Sequence, residues 1–289
     1  FVIESLRALA EMPLPEGALP LPGNVRSLIA SRLGELSAAA REWITIAAVA
    51  GRAFDFDLVC HAGGMDEETA LQAVDELLLR GFLREGSGGI ERDYEFVHHL
   101  VQSVTYTAIH RRRRQRLHRL IGETMECLYA DPGANAPAMA HHFDIGGVAE
   151  KAIHYYGLAA QQAAAVFAWQ EAERHQGRML HLLEQLDPDC TRRDCLHWRQ
   201  QVLADRALAR FLQARLTERD ADLAALDALA ETSGDVHIRV QALSQRARYL
   251  NLDAQYEKAI AVTQEGLDLA NHLHDTAAQC YLLTQKGFA

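Results

Sequence analysis

The sequence predicts a mainly α-helical chain with one small β-hairpin, and three observations carry that expectation. Ala and Leu together fill 86 of the 289 positions, 47 and 39 respectively, and both residue types lose little on entering a helix. Apolar residues recur three and four positions apart through most of the chain, the pattern of an amphipathic helix. Only near 82–97 does that period give way to two short strand-like runs, Phe82–Glu85 and Tyr94–Val97, around a Gly/Ser turn, which reads as a hairpin.

Composition narrows the function classes. Basic and acidic residues number 29 and 39, a net charge of −10, and such a chain is poorly suited to general nucleic-acid binding. Three of the basic residues are lysines, Lys151, Lys258 and Lys286. None follows the glycines of a GxxxxGK[ST] loop, so the sequence holds no phosphate-binding P-loop. The five cysteines are odd in number and form no CxxC pair, which fits neither a disulfide framework nor a zinc site. The longest apolar run, Trp43 to Ala50, is far too short to span a bilayer. These features predict a reduced, cytoplasmic protein without membrane attachment. The chain begins at Phe1, inside a helical pattern, and is expected to be a section of a longer protein.

Residues 1–12 read as the end of a helix, with Val2, Ile3, Leu6 and Leu9 on one face. MPLPEGALPLPG then places four prolines and two glycines in a dozen positions, a linker. Asn24 is expected to cap the next helix, whose stripe is Val25, Leu28, Ile29, Leu33 and Leu36. Ser37 caps a second, ending at Gly51, and Asp66 a fourth, ending at Gly81, with a short helix near Phe56–Ala62 between them. After the hairpin come two more helices, HHLVQSVTYTAI and RRRRQRLHRLIGETMECLY. Helices followed by a hairpin is the order of a winged-helix domain, placed at 24–130. DPGANAP (131–137) marks a second boundary. From 131 to 289 the pattern is helices in pairs. The clearest pair has Ala247 and Tyr249 on one helix, a turn at Leu252–Gln255, and Tyr256, Ala259, Gly266 and Leu267 on the next. Small residues where helices touch and large ones between them is tetratricopeptide (TPR) spacing. Ala152, Tyr155 and Ala159 fit the same scheme, 170–235 fits it loosely, and TAAQCYLLTQKGFA resembles the first helix of a further repeat, so the array is expected to continue beyond it.

The run YEFVHHLVQSVTYTAIHRRRRQRLHRLIGETME resembles a segment of bacterial STAND-class ATPases, the AAA+-related regulators that include LuxR-type and SARP-type activators and adenylate-cyclase-linked proteins. Phe96, His98, Leu100, Val101 and Tyr106 match that family's F-R-H-A-L-V-x-x-x-x-Y pattern, and Arg116, Leu117 and His118 its R-x-L-H. LPGNVRSLIASRLGEL, ITIAAVAGRAFDFDLV and AMAHHFDIGGVAEKAIHYY are similar to neighbouring family segments, so the resemblance covers most of 1–180. Val97 stands where the family usually has Arg, and His99 adjoins His98. The resemblance implies that 1–23 is the end of an ATPase lid domain plus linker. It implies further that 24–130 is the winged helix and 131–289 a TPR-like sensor superhelix, with the nucleotide-binding domain upstream. The section would then be non-enzymatic and bind no cofactor alone. ATP and ADP would belong to the parent ATPase. Its partners would be its own upstream nucleotide domain and a protein or small-molecule inducer on the repeats, with DNA engaged only through another domain.

Four groups of residues are candidates for chemistry. His98 matches a histidine that, in the family, hydrogen-bonds the β-phosphate of ADP. Imidazole can donate to a phosphate and titrates near neutrality. The alternative is a core or capping histidine. Arg111–Arg114, Arg116 and Arg119 could contact DNA phosphates, which would make the chain a TPR scaffold whose winged helix binds DNA directly. But 1–130 carries 14 basic and 18 acidic residues, and Leu117, Leu120, Ile121 and Met125 give the run a packed face, which favours an intramolecular or partner-facing acidic contact, or a solvated face. His141, His142 and Asp144 are residue types that ligate metals, yet adjacent helical residues point about 100° apart and no second ligand cluster stands out. Tyr155, Tyr156, Phe167, Trp169 and Trp198 could line a ligand or peptide surface on the repeats, or form their core.

Overall fold

The computed structural model describes residues 23–86 and 93–288. The expected helix at 1–12, nearly all of the Pro/Gly linker and residues 87–89 of the hairpin turn lie outside them. Among the described residues, 23–132 with 141–148 form one compact unit, and 133–140 with 149–288 form another.

The first unit contains α1 (Gly23–Gly34), α2 (Ala38–Ala50), β1 (Ala53–Phe54), α3 (Phe56–Gly63), α4 (Glu67–Leu79), β2 (Leu83–Glu85), β3 (Tyr94–Phe96), α5 (His99–Ala108) and α6 (Arg111–Leu128). Ser37 Oγ accepts the Ala40 N–H at 3.1 Å, and Asp66 Oδ1 the Thr69 N–H at 2.9 Å. Both act as the caps that the sequence indicates, closing donors a helix start leaves open. Helix α1 begins at Gly23, one residue before Asn24. Helix α2 packs against α3, α4, α5 and α6. Its residues Ala40, Trp43, Ile44, Ile46, Ala47, Ala48 and Val49 are all buried, and a helix apolar on most sides takes the centre of a core. The Trp43 indole meets Phe54 and Tyr94 edge-on at 5.5 and 6.3 Å.

The expected hairpin is instead a three-stranded antiparallel sheet, ordered β1-β3-β2. Leu83 pairs with Phe96 and Glu85 with Tyr94, while Ala53 pairs with Glu95 on the other side of β3. The extra strand is two residues long, too short to leave an alternating pattern in the sequence.

Helix α7 (Ala136–Gly146), after a 3₁₀ turn at Pro132–Asn135, contributes Ala136–Ala140 to the second unit and His141 onward to the first. The units first divide at 132/133, inside the DPGANAP stretch, but the division is not a single cut, because 141–148 returns to the first unit. Composition marks the bend in the chain, and packing of the next helix decides the division.

The second unit continues with α8 (Ala149–Ala165), α9 (Trp169–Leu186), α10 (Arg193–Leu212), α11 (Leu216–Ser233), α12 (Val236–Leu252), α13 (Tyr256–His272) and α14 (Thr276–Phe288). From α8 on, each helix packs on the next, and α12 also reaches α10 and α14. Ala152, Ala172, Ala207, Ala247, Ala259 and Ala270 have no exposed surface, so small residues sit where helices cross. Helix α14 buries Ala278 and Leu282 against Val240, Leu267 and Ala270.

The turns repeat more regularly than the sequence. Phe167, Ala214, Ala254 and His274 all have a left-handed backbone, with φ of 61°, 57°, 57° and 55°. Behind each, the following N–H returns to a carbonyl five residues back: Ala168 to Ala163, Arg215 to Arg210, Gln255 to Leu250 and Asp275 to Ala270, at 2.8–3.0 Å. That closure is the Schellman motif, which satisfies the last carbonyls of a helix. Positions 214, 234, 254 and 274 are left-handed at 20-residue intervals, Gly234 among them. The stretch 170–235, which the sequence fits only loosely to the repeat scheme, therefore forms helices of the same kind as its neighbours.

Candidate functional site

Strand β3 delivers the chain to His98. The Val97 N–H donates to the Phe82 carbonyl at 3.1 Å, which anchors the last residue before it. His98 itself is extended, with φ −131° and ψ 132°, and stands at the N-cap of α5. Its carbonyl accepts the Val101 N–H at 3.0 Å, while its half-buried side chain makes no capping hydrogen bond. The first turn of α5 carries no acidic residue. A helix N-terminus presents free N–H groups and the positive end of the dipole. His98 and His99 are distinct here: His98 lies outside the helix at its mouth, and His99 is its exposed first residue.

Half of the arginine run of α6 is engaged within the first unit. Arg113 pairs with Glu42, and Arg119 with Glu123 at 2.9 Å. Arg114 lies over the Tyr106 ring, 4.7 Å from its centre, a cation–π contact. Arg111, Arg112 and Arg116 are exposed.

Beneath that run is a polar chain that the sequence did not reveal. The Tyr106 hydroxyl is 2.9 Å from His118 Nε2, and His118 Nδ1 is 3.0 Å from His142 Nδ1. His142 also hydrogen-bonds the Ala50 carbonyl. A carbonyl can only accept, so His142 donates there and its Nδ1 accepts from His118; His118 Nε2 in turn accepts from Tyr106. Every proton is placed with both imidazoles neutral. Burial pushes the His118 pKa down to about 4 and that of His142 to about 3, each helped by the other histidines of the cluster. His118 is 1% exposed and His142 4%, so a charge on either ring would go unsolvated. His141, the neighbour read with His142, is exposed, its ring 5.6 Å from that of His118. Among the described residues, no group of three His, Cys, Asp or Glu side chains is arranged to hold a metal.

The five aromatics singled out on the repeats separate. Tyr155 and Tyr156 are buried, Tyr156 against the His175 ring at 5.7 Å. Phe167 is 76% exposed at its left-handed turn. Trp169 and Trp198 are half-buried and line a cavity of about 430 Å³ between α8, α9 and α10. Its walls are mostly apolar, among them Ile153, Leu158, Met179 and Val202, and Asp205 is the sole Asp, Glu, Lys or Arg in its lining. Asp205 is open to water yet set in a concave wall, and the surrounding protein pushes its carboxyl pKa up. No sequence signal pointed to Asp205, because it is one acidic residue among 39 and only folding isolates it.

No family model matches this chain. An uncharacterized protein of Rhizobium meliloti (strain 1021) is 29% identical over 187 residues, which are 62% of this chain and 18% of that protein. Among solved structures, a Signal Transduction ATPase with Numerous Domains (STAND) protein with a tetratricopeptide repeat sensor, from Pyrococcus horikoshii, aligns over 94% of this chain and 44% of its own, at 11% identity and a TM-score of 0.45. The chain thus spans about a fifth of the curated relative and less than half of the solved one. Among the described residues, no helix is long and apolar enough to cross a membrane.

Proposed function

We propose that this chain is the regulatory and sensor section of a STAND-class regulator, of the LuxR/SARP-like or adenylate-cyclase-linked type. In this reading 24–130 is a winged helix that rests on an upstream nucleotide-binding domain, and the repeats receive a protein or small-molecule inducer. The chain performs no catalysis and binds no nucleotide alone; ATP and ADP belong to the parent. The observation that carries the reading is the position of His98. The histidine of the FVHHLV segment stands at an uncapped helix mouth with its imidazole uncommitted to the helix. There it can donate to a phosphate alongside the N–H groups of α5.

The test uses the parent protein carrying the nucleotide domain and its His98→Ala variant. A charge-assisted hydrogen bond of about 1.5–3 kcal/mol corresponds to roughly ten- to a hundredfold in affinity. ADP is expected to bind that much more weakly to the variant, with raised basal activity. Unchanged ADP affinity and unchanged basal activity would remove the reading. Direct DNA binding by the winged helix is the competing proposal. The engagement of Arg113, Arg114 and Arg119 inside the unit speaks against it, and a salt-dependent gel shift with this chain separates the two.

A further inference from the structure

The cavity between α8, α9 and α10 is built for one kind of ligand. Its volume of about 430 Å³ falls within the range of small-molecule sites, which are mostly apolar with a few placed polar groups. Trp169 and Trp198 offer two indoles, the strongest aromatic partners for a cation. Asp205 supplies the one full charge in the lining, and it has no ion-pair partner among the described residues. Gln176, also in the lining, is 6% exposed, with its Oε1 buried in the wall rather than open to the cavity.

The other large groove of this unit, between α11, α12 and α13, shows what a spent surface looks like. There Arg219 is held by Asp253 and Asp220, Arg239 by Glu265, and Arg246 by Asp227. Its charges neutralise one another, whereas Asp205 is the one carboxylate in a mostly apolar hollow whose other polar lining is His154, Gln161, Gln176 and Gln201.

We infer that this cavity binds a small organic ammonium ion. Its apolar body lies against Trp169 and Trp198, and its charge faces Asp205. The inference names the inducer class for the sensor reading and rests on that reading for its use in the cell. Binding to this chain and nucleotide coupling in the parent are measured separately, so either can fail without the other.

Three probes of matched shape decide it: phenethylammonium, 2-phenylethanol and 3-phenylpropionate, each titrated against the whole chain by calorimetry and tryptophan fluorescence. Phenethylammonium is expected to bind saturably and perturb tryptophan emission, with the alcohol and the carboxylate at least roughly tenfold weaker, the scale of one desolvated cation contact. Asp205→Asn, near-isosteric and at an exposed position, is expected to unfold at the same temperature and lose the preference for the cation. Trp198→Leu is expected to weaken binding of all three probes and to reduce that preference without abolishing it. Absence of saturable binding, equal binding of alcohol and ammonium, or an unaltered preference in Asp205→Asn would each overturn the inference. So would tight binding of a basic peptide under conditions where phenethylammonium fails, since the site would then be a peptide groove.

Discussion

In the first unit the most deeply buried titratable side chains are neutral: His118 and His142 exchange one hydrogen bond and end on Tyr106 and the Ala50 carbonyl. In the second they are paired charges. Asp222, 2% exposed, accepts Arg206 at 2.5 Å and Arg210 at 2.7 Å, and Arg219, 3% exposed, is gripped by Asp253 at 2.7 Å. The contrast follows from what each core is made of. Trp43, Phe54, Phe82 and Phe96 close the first around large rings, which leave room only for uncharged polar groups. The alanine crossings of the second are shallow, so arginine stems can lie along the helices and bring their heads back to carboxylates. One unit should therefore be sensitive to protons in mild acid, and the other to removal of a single charge.

The largest expected effect is Asp222→Ala. It strips the mostly buried Arg206 of its carboxylate, while Arg210 keeps Glu173 at 3.0 Å, and breaking one side of a buried pair costs about 3–5 kcal/mol. Peptide-resolved hydrogen exchange should show the loss in α10–α12 and leave α2–α6 protected. A loss below about 1 kcal/mol would mean that these pairs behave as surface pairs, and the contrast between the units would lapse.

Acid should act the other way round. His118 and His142 titrate well below the ordinary histidine value of about 6.5, so in the pH window between, the unfolded chain binds protons that the folded unit does not. Stability is then full above about pH 6.5 and falls as pH drops toward about 4. For the coupled pair the loss from pH 7 to pH 5 should be on the order of 3 kcal/mol. Trp43 emission during urea unfolding, in a chain with Trp169→Phe and Trp198→Phe, reports this unit alone. Among the described residues, the second unit holds one such histidine, His175, 6% exposed and lowered first by burial. Its Glu218 carboxylate, held down first by the Arg215 hydrogen bond, yields only below the ordinary carboxylate range, so its slope over this window is expected to be the smaller. Equal slopes for the two units between pH 7 and 5 would refute the assignment of neutral histidines.

Much of this organisation is legible in the sequence where a local signal produces it. Ser37 and Asp66 cap because short polar side chains before apolar stripes have few other uses. The helix pairs near 247–267 announce themselves through Ala247, Ala259 and Gly266. What stays hidden is set by distant contacts or by the backbone. His118 and His142 are 24 positions apart and meet only because Gly122 and Gly146 let α6 and α7 approach. A Cβ on Gly146 would lie 2.9 Å from the Arg119 nitrogen. Strand β1 exists only through pairing with β3. The cavity took two of the five suspected aromatics and an Asp205 that no pattern marked. His98 could be named from its motif, whereas its separation from His99 at the helix mouth required the turn geometry.

The 20-residue rhythm of left-handed turns was hidden for a different reason, and it supplies the smallest and cleanest comparison. In the first unit such turns fall on glycine, as at Gly81 with φ +70°; in the second they mostly fall on residues with side chains. Gly81 is exposed and a methyl there would meet nothing within 4 Å, so Gly81→Ala reads the backbone term alone. The left-handed conformation costs an L-residue about 1–2 kcal/mol, and the stiffer unfolded chain returns about 0.4–1. The net expectation is a loss of roughly 1 kcal/mol. Ala254, exposed with φ +57°, is the mirror experiment: Ala254→Gly relieves the same strain, loosens the same unfolded chain and should gain up to about 1 kcal/mol. Urea midpoints of the two units give both numbers. If Ala254→Gly instead destabilises the second unit, the turn is held left-handed by its Schellman closure at no strain, and the rhythm is a property of helix length. If it stabilises, the turns store strain that the packed alanine crossings hold in place.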